Sequence, residues 1–272
     1  MTGDALDAAS VHAAIARGRP DAVINELTSL PRHYTPDEMK TAAERDSRVR
    51  REGNVNLLAG MRGNGVRRYV LQSSGFWYAP GPGLADESAP LAVDASPGVA
   101  AGVRTYLELE STAFQASGID SVAMRYGFFY GPGTWYTKAD DMGEQVRQQQ
   151  VPIVGAGQGV WSFVHIEDAA SATVAALECA PGAYNIVDDN PSQQREWLSA
   201  FASFAERRNR FKSPNRKPRR LPEPTASITR RAFAAPRTRR PDTNSISVRV
   251  RSNGSEHERL QRNMDKALMK VR

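Results

Sequence analysis

The chain has 272 residues, 40% of them hydrophobic, enough to bury one substantial core or two small ones. No run approaches the roughly 18–20 apolar residues that cross a bilayer, and the opening Met1–Asp7 lacks the basic-then-apolar pattern of a secretory signal, so the expected location is the cytoplasm, with no membrane partner. The net charge of +6 joins two opposite parts: residues 206–272 carry 20 Lys+Arg against 6 Asp+Glu, a net +14, and residues 1–205 carry 16 against 24, a net −8. An acidic body has no electrostatic reason to seek nucleic acid, whereas the basic segment does.

Val11, Ala14 and Ile15 repeat at helical spacing, Gly18 offers a stop, and Asp21–Leu27 reads as a buried strand. Thr35-Pro-Asp-Glu38 is a capping box with proline at the first helical position, predicting a helix to about Asn64 with Val55, Leu58 and Ala59 on its apolar stripe. Val66–Gln72 is the next strand. Residues 74–97 are rich in Gly, Pro, Ser and Asp, too long for a simple connection and thus a candidate active-site loop. A helix over Val99–Ser117 leads into a strand at Ser121–Tyr126. Further on, Lys138–Gln149 reads as a polar helix and Val151–Val164 as two short apolar runs around a glycine hairpin, Gly155-Ala-Gly157-Gln-Gly159. Glu167–Leu177 is helical with acidic residues in its first turn, Cys179 is a small core residue on a helix, Ala183–Val187 is a strand, and residues 192–205 form a last helix. One cysteine excludes an internal disulfide, and no Cys/His cluster suggests a metal site. Strands alternating with helices argue for an α/β fold with a parallel sheet.

Three stretches carry the functional signal: Arg67–Ser74 (R-R-Y-V-L-Q-S-S), Val122–Gly133 (V-A-M-R-Y-G-F-F-Y-G-P-G) and Trp161–Ala170 (W-S-F-V-H-I-E-D-A-A). Each is an apolar run ending in polar or glycine-rich residues, as where buried parallel strands deliver a ligand site at their carboxyl ends. On these residues the chain resembles the extended short-chain dehydrogenase/reductases, the NAD-dependent epimerase/dehydratase group, and especially its atypical members, over residues 3 to about 200. The resemblance implies a Rossmann-like partial NAD(P)-binding domain over 1–205, with a small mixed substrate lobe mainly within 127–200. It also implies NAD or NADP as cofactor, a sugar nucleotide or other carbonyl compound as substrate, and oxidoreductase or epimerase/dehydratase activity.

The resemblance assigns Ser74 and Tyr78 to the serine strand end and the tyrosine four residues on. It places Asp4 at the adenine, Glu26, Leu27 and Thr28 in the loop lining the cofactor, and Tyr126 and Phe128 in the segment closing over nicotinamide and substrate. No glycine-rich phosphate turn follows a strand. By that comparison the chain starts after the family's first strands, so the sheet is expected to lack them. Their loss would expose an apolar edge, giving poor solubility or a homodimer.

The family's acid/base chemistry uses a tyrosine and a lysine one helical turn apart, the lysine lowering the phenol pKa. If Glu110 matches the family glutamate, Gly102 holds the tyrosine position and Tyr106 the lysine position; in the other register Tyr106 is the tyrosine and Glu110 stands where lysine belongs. Either way activity is expected to be impaired, and a non-catalytic binding or regulatory relative is the alternative. Ser74 could orient a carbonyl or simply cap backbone, Tyr78 and Tyr130 could donate a proton or, like Tyr126, wall a pocket, and His165 reads as a strand histidine.

From Arg207 apolar periodicity stops, so residues 206–272 are expected to be a disordered basic tail. Two readings stand: an arm for nucleic acid or an anionic surface, or the product of a shifted reading frame, which a segment dominated by Arg, Pro, Ala and Ser would fit.

Overall fold

A computed structural model describes residues 3–206 apart from Tyr34 and Pro82, together with the backbone of three short segments at 227–229, 233–234 and 247–249. The expectation of a disordered tail otherwise falls outside the described residues, as do its nucleic-acid readings. Among the described residues no helix is long and apolar enough to cross a membrane.

Helix α1 (Ala8–Gly18) leads to strand β1 (Ala22–Asn25), helix α2 (Pro36–Gly63) to β2 (Arg68–Ser74), and, after the two-residue strand β3 (Leu84–Ala85), helix α3 (Pro97–Phe114) to β4 (Asp120–Tyr126). Then follow β5 (Phe128–Tyr130), α4 (Asp141–Arg147), β6 (Val160–Trp161), β7 (Phe163–His165), α5 (Ile166–Ala175), β8 (Gly182–Ile186), β9 (Ser192–Gln193) and α6 (Gln194–Glu206). The capping box is realised: the Thr35 side chain accepts from the Glu38 N–H, with Pro36 in the first turn. Helix α1 ends at Gly18 as expected, with the cap residue Arg19 in the left-handed conformation donating its N–H to the Ile15 carbonyl.

The main sheet has the order β1-β2-β4-β8, and every pairing is parallel. Alternation along its strands makes three layers. Tyr69 and Leu71 of β2 and Ala123 of β4 face α1, α2 and α3, joining Val11, Ile15, Leu57, Met61 and Leu109 in one core. Val70, Val122, Met124 and Tyr126 point the other way, packing with Ala169 and Ala172 of α5 and Tyr184 and Ile186 of β8. Burying each large apolar side chain contributes about 1.5–3 kcal/mol, so the two faces fix the register of every central strand. The first core also holds a satisfied polar relay: Asn25 Nδ2 donates to Tyr69 Oη (2.7 Å), which donates to Asn54 Oδ1 (2.6 Å).

A third cluster forms a small lobe, in which Tyr136, Met142, Trp197 and Leu198 are buried among Phe128, Trp161, Phe163 and Phe201. The lobe departs from the expected glycine hairpin. Gly155 and Gly157 do turn the chain at positive φ, but Ile153 and Val154 stay exposed and unpaired in any strand. Strand β6 takes β9, more than thirty residues on, as its antiparallel partner, because the Gln194 side chain and the Arg195 N–H hold the glycine turn against α6. Cys179 likewise lies just past α5 rather than within it, partly buried.

Candidate active site

The carboxyl ends of β1, β2, β4 and β8 place Asn25–Thr28, Ser73–Trp77, Tyr126–Phe128 and Asn185–Asp188 along one margin of the sheet, where open α/β sheets take their ligands. Two networks of very different character meet there.

The first is closed. Arg125, at the end of β4, forms a two-pronged ion pair with Glu110 of α3, Nε to Oε1 at 2.9 Å and Nη2 to Oε2 at 2.6 Å, and Ser73 Oγ donates to the same carboxylate at 2.5 Å. Arg125 Nη1 donates to Tyr78 Oη (2.8 Å), and that hydroxyl donates to Asn185 Oδ1 (2.7 Å). The Glu87 carboxylate accepts from the Asn185 N–H at 2.8 Å. Burial pushes the Tyr78 phenol up, with Arg125 opposing. Its oxygen is committed to holding the arginine.

The second network is built around a buried arginine. Arg50 of α2, 4% exposed, is bound by Asp46 Oδ2 (2.7 Å), Gln72 Oε1 (3.1 Å) and Thr28 Oγ1 (3.0 Å), and its guanidinium lies 5.4 Å from the centre of the Tyr106 ring. Thr28 in turn donates to Asp46 at 2.8 Å. Glu26 is accessible along one edge but surrounded by protein, and this desolvation pushes its carboxyl up to about 7, opposed by Arg50. Glu26 also acts electrostatically on Tyr126, whose phenol is pushed up chiefly by burial and whose hydroxyl pairs with Thr173 at 2.5 Å.

Of the residues singled out by sequence, the structure thus brings Glu26 and Tyr126 to one part of the cleft and Thr28 and Tyr106 to Arg50. Ser74 accepts the Phe76 N–H at 3.4 Å and shapes the loop that follows it. Phe128 stacks on Phe76, ring centres 4.0 Å apart. Leu27 turns inward, its side chain so close to α2 that a Cβ on Gly53 would stand 2.4 Å from Leu27 Cδ1. Asp4 folds back on its own loop, accepting from the Leu6 N–H at 2.9 Å. Tyr130, its phenol pushed up to about 12 by desolvation and by Asp188, sits with His165 at the β5–β7 edge, and His165 caps α5 through Glu167 N–H. Sequence reading missed Arg50, Phe76 and Trp77; the Asp46–Arg50 spacing of four on a polar helix was the available signal for the first. No group of three or more potential metal ligands occurs among the described residues.

Comparison with known proteins fixes the family. Residues 1–187 match the NAD dependent epimerase/dehydratase family. The chain belongs to this family. A 3-diazoavenalumate denitrifying reductase from a Streptomyces species is 40% identical over 205 residues, covering 74% of this chain and 66% of that protein. The chain therefore spans just under two thirds of the length of this curated relative. Among solved structures, the NAD complex of UDP-glucose 4-epimerase from Thermus thermophilus superposes with a TM-score of 0.57 at 26% identity, over 74% of this chain and 67% of that one. RMD from Pseudomonas aeruginosa, complexed with NADPH, gives a TM-score of 0.57 at 21% identity over 75% and 70%, a likeness of fold alone. The parallel Rossmann-type sheet is the family's, and the family is one of NAD-dependent enzymes.

On α3, Gly102, Tyr106 and Glu110 follow one another at intervals of about one helical turn. A Cβ on Gly102 would stand 2.9 Å from the Trp77 ring, so the indole covers this turn of the helix. One turn on, Tyr106 lies 6.1 Å from Trp77, and burial raises its phenol, with Arg50 opposing. One turn further, the carboxylate of Glu110 is consumed by Arg125 and Ser73.

Proposed function

We propose that this protein is an NAD(P)H-dependent reductase whose reaction delivers a hydride without a partnered proton transfer, and that the reaction is the reductive denitrification of a diazo compound. The observation that carries this is the cleft-facing stripe of α3, with Gly102 under Trp77 and Tyr106 against Arg50, in the register where Glu110 is the structural glutamate. A ketone reductase needs a positioned acid because its alkoxide must be protonated. Exchange of C–N2⁺ for C–H consumes one hydride and releases N2, and the substrate neither gains nor loses a proton. A site for that exchange can dispense with the tyrosine and lysine, and the 40% identical relative bears the name of such a reductase.

The residues present fit the nicotinamide end of a dinucleotide. Bound NAD(P)H would supply the hydride. Desolvation raises the Glu26 carboxyl well above the ordinary carboxylate range, so in its neutral form it can give a hydrogen bond to a ribose or carboxamide oxygen without setting a full negative charge beside an anionic ligand. Thr28 is fixed by Asp46 and Arg50 and holds the loop in shape, with Leu27 anchoring it from beneath. Tyr126 and Phe128 wall the cleft, Ser74 orients the substrate end, and Asp4 remains the adenine-side candidate. Tyr78 belongs to the scaffold, holding Arg125 rather than substrate.

The test is to supply the protein with 3-diazoavenalumate and NADPH deuterated at C4. One N2 released per NADPH oxidised is expected, with deuterium at the carbon that lost nitrogen, and Tyr106→Phe should keep the rate within about twofold. N2 release without NADPH oxidation, or 4-epimerisation of UDP-glucose in its place, would refute the reading.

A further inference from the structure

Three rings from three separate elements form one continuous stack at the cleft. Phe76, just after β2, lies on Phe128 of β5 at 4.0 Å and 13°, and Phe128 lies on Trp161 of β6 at 4.2 Å and 25°. Trp161 then leans on Trp197 of α6 at 4.9 Å. The inner end of this column is closed, Trp197 being 8% exposed. The outer end is not: Phe76 is 43% exposed.

An aromatic ring held at a ligand-binding edge with a face towards water is a cost unless something covers it. The turn leading into it is held by two hydrogen bonds, the Phe76 N–H donating to Ser74 Oγ and the Gly75 N–H to the Tyr126 carbonyl at 3.0 Å. A fixed, near-parallel stack ending in an open ring favours another flat ring in offset geometry.

We infer that Phe76 is a stacking platform for the planar aromatic ring of the substrate, which extends the column by one ring at its outer end. The inference deepens the reductase reading by naming its substrate class, and it rests on that reading only for the reaction performed. Binding without turnover therefore tests it separately.

The experiment titrates trans-cinnamate into the full chain, with and without NADPH, and reads tryptophan fluorescence, Trp161 being two rings from Phe76. The comparison ligand is trans-3-cyclohexylacrylate, which has the same length and charge but no planar ring. Cinnamate is expected to bind at least about threefold more tightly than the cyclohexyl acid, and Phe76→Ala to weaken cinnamate at least about threefold. Phe76→Trp, which keeps a flat face, should stay within about threefold of the parent, and both variants should keep NADPH affinity within about twofold. Equal affinity for the two acids, no cinnamate binding at millimolar concentration, or a Phe76→Ala variant that loses NADPH and keeps cinnamate would each overturn the inference. Cinnamate binding as expected with no N2 released from a diazo substrate would sink the reaction and leave the platform standing.

Discussion

Two neighbouring turns of helix α3 show opposite uses of the same scaffold. At Glu110 the helix is locked to the sheet by groups that satisfy one another, Arg125, Ser73, Tyr78 and Asn185. One and two turns earlier, at Tyr106 and Gly102, it meets the Trp77 indole and the buried guanidinium of Arg50. The lock positions strands and says little about chemistry; in the proposed reading the Gly102–Tyr106 stripe sets which reaction the site can perform. A fold carries its chemistry in the residues set on it rather than in the scaffold itself.

Breaking the lock should have the largest effect. Arg125→Ala leaves Glu110 buried and uncompensated, and urea unfolding should show a loss of about 3–5 kcal/mol; a loss under about 1 kcal/mol would mean that the pair is not what joins α3 to β4. Tyr78→Phe removes only the hydroxyl between Arg125 and Asn185, and should cost about 1–3 kcal/mol while leaving hydride transfer unchanged. A lost activity at full stability would move Tyr78 to the chemical side of the comparison.

The mildest probe falls on the second network. Glu26 keeps its proton in the folded chain up to about pH 7, whereas an ordinary glutamate loses it near 4.5. Between those values the folded state binds more protons than the unfolded one, so stability falls as pH rises through the window and stays lower above it. Glu26→Gln should accordingly raise Tm at pH 8, on the order of 1–3 °C given the exposed edge of the side chain, and by less at pH 5. Thermal melts at the two pH values check this, and an equal gain at both would show that Glu26 carries no unusual proton affinity.

Much of the scaffold was legible in the sequence, because its signals are local. Val11, Ala14 and Ile15 announce α1, Thr35 to Glu38 announce the start of α2, and the β2 and β4 runs end where the cleft begins. The lobe was less legible. Val160–Trp161 is too short to carry a period, and its partner is set by packing of α6 against the glycine turn rather than by the turn itself. The cleft was least legible, since Arg50, Trp77 and Tyr106 lie on three elements and become neighbours only when the sheet is complete. The proton affinity of Glu26 comes from surroundings that no pattern of residues displays.

The junction between sheet and lobe has a mechanical consequence. At Gly127 the chain passes so close to the return segment that a Cβ would stand 2.5 Å from the Ser162 carbonyl oxygen. Main-chain bonds stitch the crossing, Gly127 N–H to Ile186, Phe128 N–H to Ser162 and Asp188 N–H to Phe163. A seam made of peptide groups gives little, so thermal unfolding of lobe and sheet should be one cooperative event rather than two.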